Sequence, residues 1–247
     1  METGPHRLEA DEVVEDLLYG QLKVIQKKKG YRFSIDSILI SHFVRIKSYD
    51  SIIDLGTGSG VIPLILSHRY EDNNITGIEI NEDMVCMAKR SVQLNNLSEK
   101  INIVTGDLKE VRNIAKAESC SVIITNPPYG KAGSGRLSDG EAKASARHDV
   151  TGNVDVFLKA ASYFLKYRGT MAVILPSRRL VDLIHGMRTC GIEPKRMRTV
   201  HSRKDDPAKL VMVEGVKGGG VEMAVEPPLY IYKDEENYSH EVELMYR

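Results

Sequence analysis

The feature that most constrains the fold of this chain is a regular alternation of short apolar runs with longer amphipathic segments between Ser51 and Cys190. The apolar runs are five or six residues long and rich in Ile and Val, as is typical of buried strands. The segments between them repeat apolar residues at helical spacing. Strands that alternate with helices form a parallel sheet through right-handed crossovers. We therefore predict an α/β fold with a mostly parallel, twisted sheet and helices on both faces.

The pattern gives bounds for each element. The predicted strands are Ser51 to Leu55, Ile75 to Ile80, Ile101 to Thr105, Ser121 to Thr125 and Thr170 to Leu175. The predicted helices are Ser34 to Ile46, Gly60 to Arg69, Asn81 to Asn96, Leu108 to Ala117, Val154 to Tyr167 and Ser177 to Cys190. A hairpin-like segment, Leu17 to Gln26, precedes them, and three further strands follow: Lys195 to His201, Leu210 to Val216 and Leu229 to Tyr232. Gly130 to Asp149 has no period and is expected to be a long loop.

Composition limits the class of protein. A chain of 247 residues, 42% of them hydrophobic, can bury one sizeable core. No run approaches the roughly 18 apolar residues of a membrane span, and the acidic start is unlike a signal peptide, so we expect a soluble, cytoplasmic protein with no membrane partner. The three cysteines, Cys86, Cys120 and Cys190, lie far apart, and we expect reduced thiols and no metal site. Between Asn126 and Gly215 there are 16 Lys and Arg against 9 Asp and Glu, a basic bias that suits a polyanionic substrate.

The tetrapeptide Asn126-Pro127-Pro128-Tyr129 follows one of the predicted strands directly. An Asn side-chain oxygen and a main-chain carbonyl accept hydrogen bonds from an amino group. Two prolines hold such acceptors in a fixed direction, and the tyrosine offers a face for stacking. The tetrapeptide therefore predicts a catalytic site for a planar amine, although a Pro-Pro turn that ends a strand is the alternative.

A glycine-rich loop, Asp54-Leu55-Gly56-Thr57-Gly58-Ser59-Gly60, joins the first core strand to its helix. Glycines at alternating positions let the backbone turn sharply and approach a ligand closely. An acid ahead of the loop suits a cationic ligand group better than pyrophosphate. Glu79 and Asp107 follow the next two strands, and a helix cap is the alternative role for either. Because ligands of parallel sheets collect at the carboxyl ends of the strands, all these residues are expected to share one crevice with Asn126.

Together these residues resemble the class I S-adenosylmethionine-dependent methyltransferases, which have a Rossmann-like fold. The resemblance implies that Asp54, the glycine loop, Glu79, Asp107 and Asn126 bind S-adenosylmethionine. It also implies that Asn126, Pro127, Pro128 and Tyr129 receive the amine. The full set of expected cofactor contacts is Asp54, Gly56, Thr57, Gly58, Gly60, Glu79, Ile80, Asp107, Leu108 and Asn126. On this interpretation residues 1–48 are a small N-terminal extension that packs over the cofactor site, and residues 49–247 are the methyltransferase domain.

A closer resemblance concerns the acceptor. The segments Gly30 to Asp36, Ala146-Arg147-His148 and Val211 to Gly219 are similar to bacterial transfer-RNA adenine methyltransferases that modify the adenosine beside the anticodon of a valine tRNA. This implies an RNA partner, tRNA above all, with substrate contacts at Tyr129, Lys131, Arg136, Arg147 and His148. Weaker candidates for phosphate contacts are Arg178, Arg179, Arg196 and Arg198. The alternatives are methylation of a glutamine amide in a protein such as a release factor, of adenine in ribosomal RNA or DNA, and a non-catalytic RNA-binding module.

Overall fold

The computed structural model describes residues 8–29, 33–128 and 154–247. The chain starts with an antiparallel hairpin of β1 (Glu12–Leu17) and β2 (Leu22–Lys27). Among these residues the main sheet has nine strands. They are β3 (Ser51–Leu55), β4 (Asn74–Glu79), β5 (Ile101–Thr105), β6 (Cys120–Thr125), β7 (Leu165–Pro176), β8 (Ile192–His201), β9 (Ala208–Lys217), β10 (Ala224–Val225) and β11 (Leu229–Tyr230).

The order of strands in this sheet is β5-β4-β3-β6-β7-β9-β8, and β10 and β11 both pair with β8. Strands β3 to β7 are parallel to one another, and β9 is antiparallel to both β7 and β8. The chain leaves β3 toward β4 and β5 and then returns to the other side of β3 with β6. Ligands of open α/β sheets bind at such a reversal, outside the carboxyl ends of the strands.

Helices cover both faces of the sheet. They are α1 (Ile35–Phe43), α2 (Val61–Arg69), α3 (Glu82–Leu94), α4 (residues 154–164), α5 (Leu180–Thr189) and α6 (His240–Met245). One hydrophobic core joins the hairpin, α1, α2, α3 and α6 to one face, and a second core joins α4 and α5 to the other. The predicted α/β architecture, mostly parallel with two covered faces, is confirmed.

Several predicted bounds are wrong, for local reasons. The helix expected from Leu108 to Ala117 is only a 3₁₀ turn, Val111–Asn113, because few of its side chains are buried and a short isolated helix is not stable. The predicted helix to Tyr167 stops at residue 164, since β7 already begins at Leu165. The first helix ends at Phe43 and not at Ile46. Helix α6 and strand β10 were not expected from the sequence.

The acidic start of the chain has a structural role. Glu12, in β1, forms a two-point ion pair with Arg90 of α3, at 2.6 and 2.8 Å. The Oγ of Ser91 accepts the backbone N–H of Ile25, and the Asn95 side chain bonds both backbone groups of Lys23. The hairpin therefore packs on α3. The covering of the cofactor site by the N-terminal extension stays a prediction.

Among the described residues, no helix has the length and apolar character needed to cross a membrane.

Candidate active site

The glycine-rich loop leaves β3 in a conformation that ordinary residues avoid. Gly56, Gly58 and Gly60 have φ angles of +72°, +56° and +84°. The N–H groups of Gly56 and Thr57 both donate to the carbonyl of Ile78, at 2.9 and 3.0 Å, which fixes the loop to the neighbouring strand β4. A Cβ on Gly56 would lie 3.0 Å from the ring of Phe157, so a side chain there would be tightly packed as well as strained by φ.

Asp54 is the most unusual residue of the loop region. Its side chain is fully buried, and within the described part of the chain neither carboxylate oxygen has a hydrogen-bond partner. Burial raises the pKa of Asp54 to about 7, opposed by the nearby Thr57 hydroxyl and assisted by the charge of Glu79. The Thr57 hydroxyl is near enough to lower the pKa of this carboxyl, but the two groups do not have the geometry of a regular hydrogen bond. The Thr57 Oγ1 also has no hydrogen-bond partner among the described residues. An uncompensated buried carboxylate at a ligand loop is the arrangement expected for a site that a cationic group completes.

Glu79, at the end of β4, accepts three backbone N–H groups. Its Oε2 accepts the N–H of Gly58 at 2.9 Å, and its Oε1 accepts those of Ile80 and Asn81 at 2.9 and 3.0 Å. Asn81, not Glu79, caps α3 by accepting the N–H of Met84 at 3.1 Å. The carboxylate therefore lies between the first and second loops and holds both.

Asp107 follows β5 on the same edge of the sheet. Its Oδ1 accepts the N–H of Lys109 at 2.9 Å and so fixes a tight turn, while the side chain stays partly exposed. The next residue, Leu108, packs in part against the core that contains α4. The predicted crevice thus has an acid after each of the strands β4 and β5.

The acceptor tetrapeptide begins beside the glycine loop. Thr125, the last residue of β6, donates its hydroxyl to the carbonyl of Leu55, at 2.8 Å, in a fully buried contact. Because this bond joins the ends of β6 and β3, the half-buried Asn126 and buried Pro127 follow directly next to the loop that starts at Gly56.

A cleft of about 280 Å³ opens beside these prolines. Its lining residues are mostly apolar, with two arginines at the rim: Pro127, Pro128, Val154, Leu175, Pro176, Arg178 and Arg179. Leu175 and Pro176 end β7, so the cleft lies at the carboxyl edge of the sheet like the glycine loop. Its apolar walls suit the flat face of a base.

The sequence did not identify Leu175 and Pro176 as site residues, and only the strand order brings them to Pro127. Five of the expected substrate contacts lie outside the described residues: Tyr129, Lys131, Arg136, Arg147 and His148.

The arginines that the sequence offered as weaker candidates for phosphate contacts have different surroundings. Arg196 is buried in an ion pair with Glu214, and Arg198 pairs with Glu241, so both are structural.

Comparison with known proteins identifies the family. Residues 34–180 match the methyltransferase small domain. The chain belongs to that methyltransferase family. A relative from Photobacterium profundum, named tRNA1(Val) (adenine(37)-N6)-methyltransferase, is 26% identical over 187 residues, which are 75% of this chain and 77% of the relative.

Solved structures agree with the fold of this methyltransferase. The crystal structure of a predicted O-methyltransferase from Agrobacterium tumefaciens superposes with a TM-score of 0.70 at 20% identity, over 85% of this chain and 95% of that chain. The M. jannaschii TYW2 structure, in complex with AdoMet, superposes with a TM-score of 0.57 at 15% identity, over 85% and 87% of the two chains. The expected Rossmann-like class I fold is therefore confirmed.

The methyltransferase uses S-adenosylmethionine, and the residues present fit that molecule. Asp54 offers a buried carboxylate with no hydrogen-bond partner among the described residues, which suits a cationic group such as the ammonium of that molecule. Within the residues that the structure describes, no group of His, Cys, Asp and Glu side chains is arranged to hold a metal ion. The three cysteines are free thiols, and burial raises the pKa of Cys120 to about 12, which keeps it protonated.

Proposed function

We propose that this chain methylates the exocyclic amino group of an adenine in tRNA, beside the anticodon. The observation that carries the proposal is the buried hydrogen bond from Thr125 to the carbonyl of Leu55, because it brings the start of the Asn-Pro-Pro-Tyr segment next to the glycine loop. A methyl donor and an amine acceptor then share one crevice. The name of the Photobacterium relative, an adenine-N6 methyltransferase of tRNA, supports this choice of acceptor. A substrate of this kind also implies that the protein acts in the cytoplasm.

The donor half of the site is formed by the three loops after β3, β4 and β5. S-adenosylmethionine, when bound, supplies a methyl group on a sulfonium. We infer that Asp54 pairs with its ammonium group, Glu79 accepts from the ribose hydroxyls and Asp107 accepts from the adenine amine. The remaining contacts would come from the same loops, at Gly56, Thr57, Gly58, Gly60, Ile80 and Leu108, and from Asn126 after β6.

The acceptor half orients an amine that is a weak nucleophile. The lone pair of an adenine amino group is delocalised into the ring, so the nitrogen must become more tetrahedral as it reacts. The Asn126 amide oxygen and the Pro127 carbonyl would accept its two N–H groups and stabilise the positive charge that develops. Pro127 and Pro128 fix the direction of these acceptors, which supplies orientation before reaction.

An adenine inside a folded RNA must leave its stack to reach this crevice. The apolar walls of the cleft beside Pro127 and Pro128 suit the flat face of a base, and the proposed partner for stacking is Tyr129. Four further side chains are proposed to contact the RNA: Lys131, Arg136, Arg147 and His148. Arg178 at the cleft rim is a further candidate for a phosphate contact.

The experiment that tests the function is incubation of the protein with S-adenosylmethionine carrying a labelled methyl group, in parallel with total tRNA and with total protein. Digestion of the tRNA to nucleosides should give label in N6-methyladenosine. Label in protein glutamine with none in tRNA would overturn the proposal in favour of the release-factor type of enzyme.

Asn126→Ala provides the matched variant. It should lose methyl transfer by a factor of at least about 100, because the amine loses an oriented acceptor, while affinity for S-adenosylmethionine changes little. Asn126→Asp is the second variant, since it keeps an acceptor oxygen and loses only the amide. Loss of cofactor binding in both would move Asn126 from the acceptor half of the site to the donor half.

A further inference from the structure

A second cleft opens at the opposite edge of the sheet, where β3, β6 and β7 begin. It encloses about 500 Å³ and is separate from the crevice of the methyl-transfer site. Four cations line it, Arg45, Lys47, Lys166 and Arg168. The cleft is therefore basic and lies on the side of the sheet away from Asn126.

Three of the four cations in this cleft have no counter-charge among the described residues. Lys47, Lys166 and Arg168 are exposed, and within the described residues their side chains form neither a hydrogen bond nor an ion pair. Arg45 has only a 3.4 Å contact with Glu226 and its side chain stays 71% exposed.

The single acid that lines the cleft, Asp50, is already engaged. Its Oδ1 accepts the Ser121 hydroxyl at 2.8 Å, and its Oδ2 accepts the N–H of Lys47 at 2.8 Å. The two bonds hold this carboxylate to the cleft wall. Its negative charge offsets one of the four cations, so the lining keeps a net positive charge and the cleft attracts anions.

The backbone at the cleft is strained at an arginine. Arg168 has a φ of +67°, in the left-handed region that glycine adopts easily and that costs other residues free energy. Strain of this kind persists where the surrounding structure imposes it and is concentrated at functional sites. The neighbouring Tyr167 is 69% exposed, with its ring against the backbone of Gly218. A guanidinium with no ion-pair partner among the described residues and an exposed aromatic ring thus both line this cleft.

We propose that this amino-edge cleft binds the sugar-phosphate backbone of the RNA substrate, at a distance from the adenine that is methylated. Unpaired cations next to an exposed tyrosine are the chemistry that recognises phosphates and one unstacked base. The proposal rests on the proposed function, since it assumes an RNA substrate. From Ser121 to Asn126 the strand advances about 17 Å, so only an RNA longer than a few nucleotides reaches both edges.

The test compares binding of two RNAs to the whole chain. Lys47→Glu/Lys166→Glu should weaken binding of full-length tRNA roughly tenfold at 0.1 M salt, and should lower the salt dependence of the affinity by about one unit of slope for each phosphate that the variant no longer binds. A five-nucleotide RNA with the sequence of the anticodon loop should bind wild type and variant equally. In methylation assays KM for tRNA should rise while kcat is unchanged.

The control is Lys23→Glu/Lys89→Glu, which makes the same change in net charge on exposed parts of β2 and α3. A second variant, Arg168→Gly, removes a cleft charge while relieving the backbone strain, so it should fold at least as stably and still bind tRNA more weakly. Equal binding of tRNA by wild type and both cleft variants would overturn the proposal, as would an equal loss in the control.

Failure of the proposed function is a separate outcome. That failure would be seen as the absence of methyl label in tRNA after incubation with the wild-type protein. The comparison of RNA binding does not depend on methyl transfer, so the two outcomes can be told apart. Two results together would assign the cleft to a free nucleotide and overturn the RNA proposal. The first is that millimolar adenosine monophosphate displaces tRNA from the cleft, and the second is that the length of the RNA does not change its affinity.

Discussion

The carboxylate of Glu79 accepts the backbone N–H of Gly58 at 2.9 Å, which joins the loop after β4 to the glycine loop after β3. The same side chain accepts two more N–H groups, from Ile80 and Asn81. Glu79, the acid proposed to bind the ribose, is therefore also an internal support of the glycine loop, which is proposed to receive the methionine end. Changes at Glu79 should affect both ends of the cofactor site.

Glu79→Gln should reduce stability as well as cofactor affinity. An amide replaces one acceptor oxygen by a donor, so at least one charge-assisted N–H bond is lost, at about 1–3 kcal/mol. We expect a lower thermal midpoint and at least a tenfold weaker Kd for S-adenosylmethionine by calorimetry. Glu82→Gln, an exposed neighbour in the first turn of α3, is the control. An unchanged midpoint for Glu79→Gln would contradict the supporting role.

Asp54 should make the cofactor-free protein less stable as pH rises. Its pKa is raised by burial from an ordinary value of 3.8 to about 7, so the folded state keeps a proton that the unfolded state has lost. The contribution of Asp54 to the free energy of unfolding is fully present below about pH 4, falls between about pH 4 and 7 and is constant above about pH 7. The total loss is on the order of 4 kcal/mol. The same ionisation completes the cation site, so affinity for S-adenosylmethionine should increase up to about pH 7.

Asp54→Asn isolates this contribution. The measurement is unfolding by denaturant at a series of pH values. The free energy of unfolding of the variant should increase relative to that of wild type as pH rises from about 4 to 7, while the affinity of the variant for the cofactor is low at every pH. His42 changes stability in the opposite direction, because burial and Arg69 lower its pKa to about 4, so that protein stability falls as pH falls from about 6.5 to 4. Since His42 is common to both proteins, the difference between them reports Asp54. A pH-independent difference would contradict the prediction.

Arg178 and Arg179 should differ in their effect on catalysis although they are adjacent. Arg179 donates its Nε to Asp182 at 2.9 Å, and its side chain is only 15% exposed. Arg178 lines the same cleft, is exposed and forms no ion pair among the described residues. Arg178→Ala should raise KM for tRNA severalfold with no change in thermal midpoint, whereas Arg179→Ala should lower the midpoint. Steady-state kinetics and thermal unfolding of both variants check this, and equal effects on KM would remove Arg178 from the RNA contacts.

The buried pair of Arg196 and Glu214 should be sensitive to the loss of one partner. Their side chains are 8% exposed and 2.9 Å apart, and Arg196 also lies over the ring of Phe43 at 3.8 Å. Glu214→Ala should destabilise the protein by about 3–5 kcal/mol because a buried guanidinium loses its main counter-charge.

The double variant Arg196→Met/Glu214→Leu is the comparison, measured by urea unfolding. It should be clearly more stable than Glu214→Ala, since it leaves no buried guanidinium without its partner, and Glu226, which also pairs with Arg196, keeps its contact with Arg45. A double variant no more stable than Glu214→Ala would contradict the dependence of the two side chains on each other.

Much of the fold could be predicted because its signals are local. Burial of β3, β4 and β6 on both faces requires continuous apolar runs, and helix α3 requires apolar residues at helical spacing with a polar cap at Asn81. The helix expected after Asp107 was wrong, because periodicity over ten residues does not report whether a core is present for the helix to cover.

The sequence by itself determined the alternating α/β architecture, the positions of Asp54, Glu79, Asp107 and Asn126 at strand ends, and the expectation of a methyl-transfer site. These follow from the chemistry and spacing of neighbouring residues.

Only the tertiary structure decided how those residues support one another. It joined Glu79 to Gly58, left Asp54 without a partner in the described residues, and separated the exposed Arg178 from the buried Arg196. It also brought Lys47 and Lys166 to one cleft. Such contacts depend on strand order and on residues distant in the chain, and a local pattern carries no information about which distant side chain will be its neighbour.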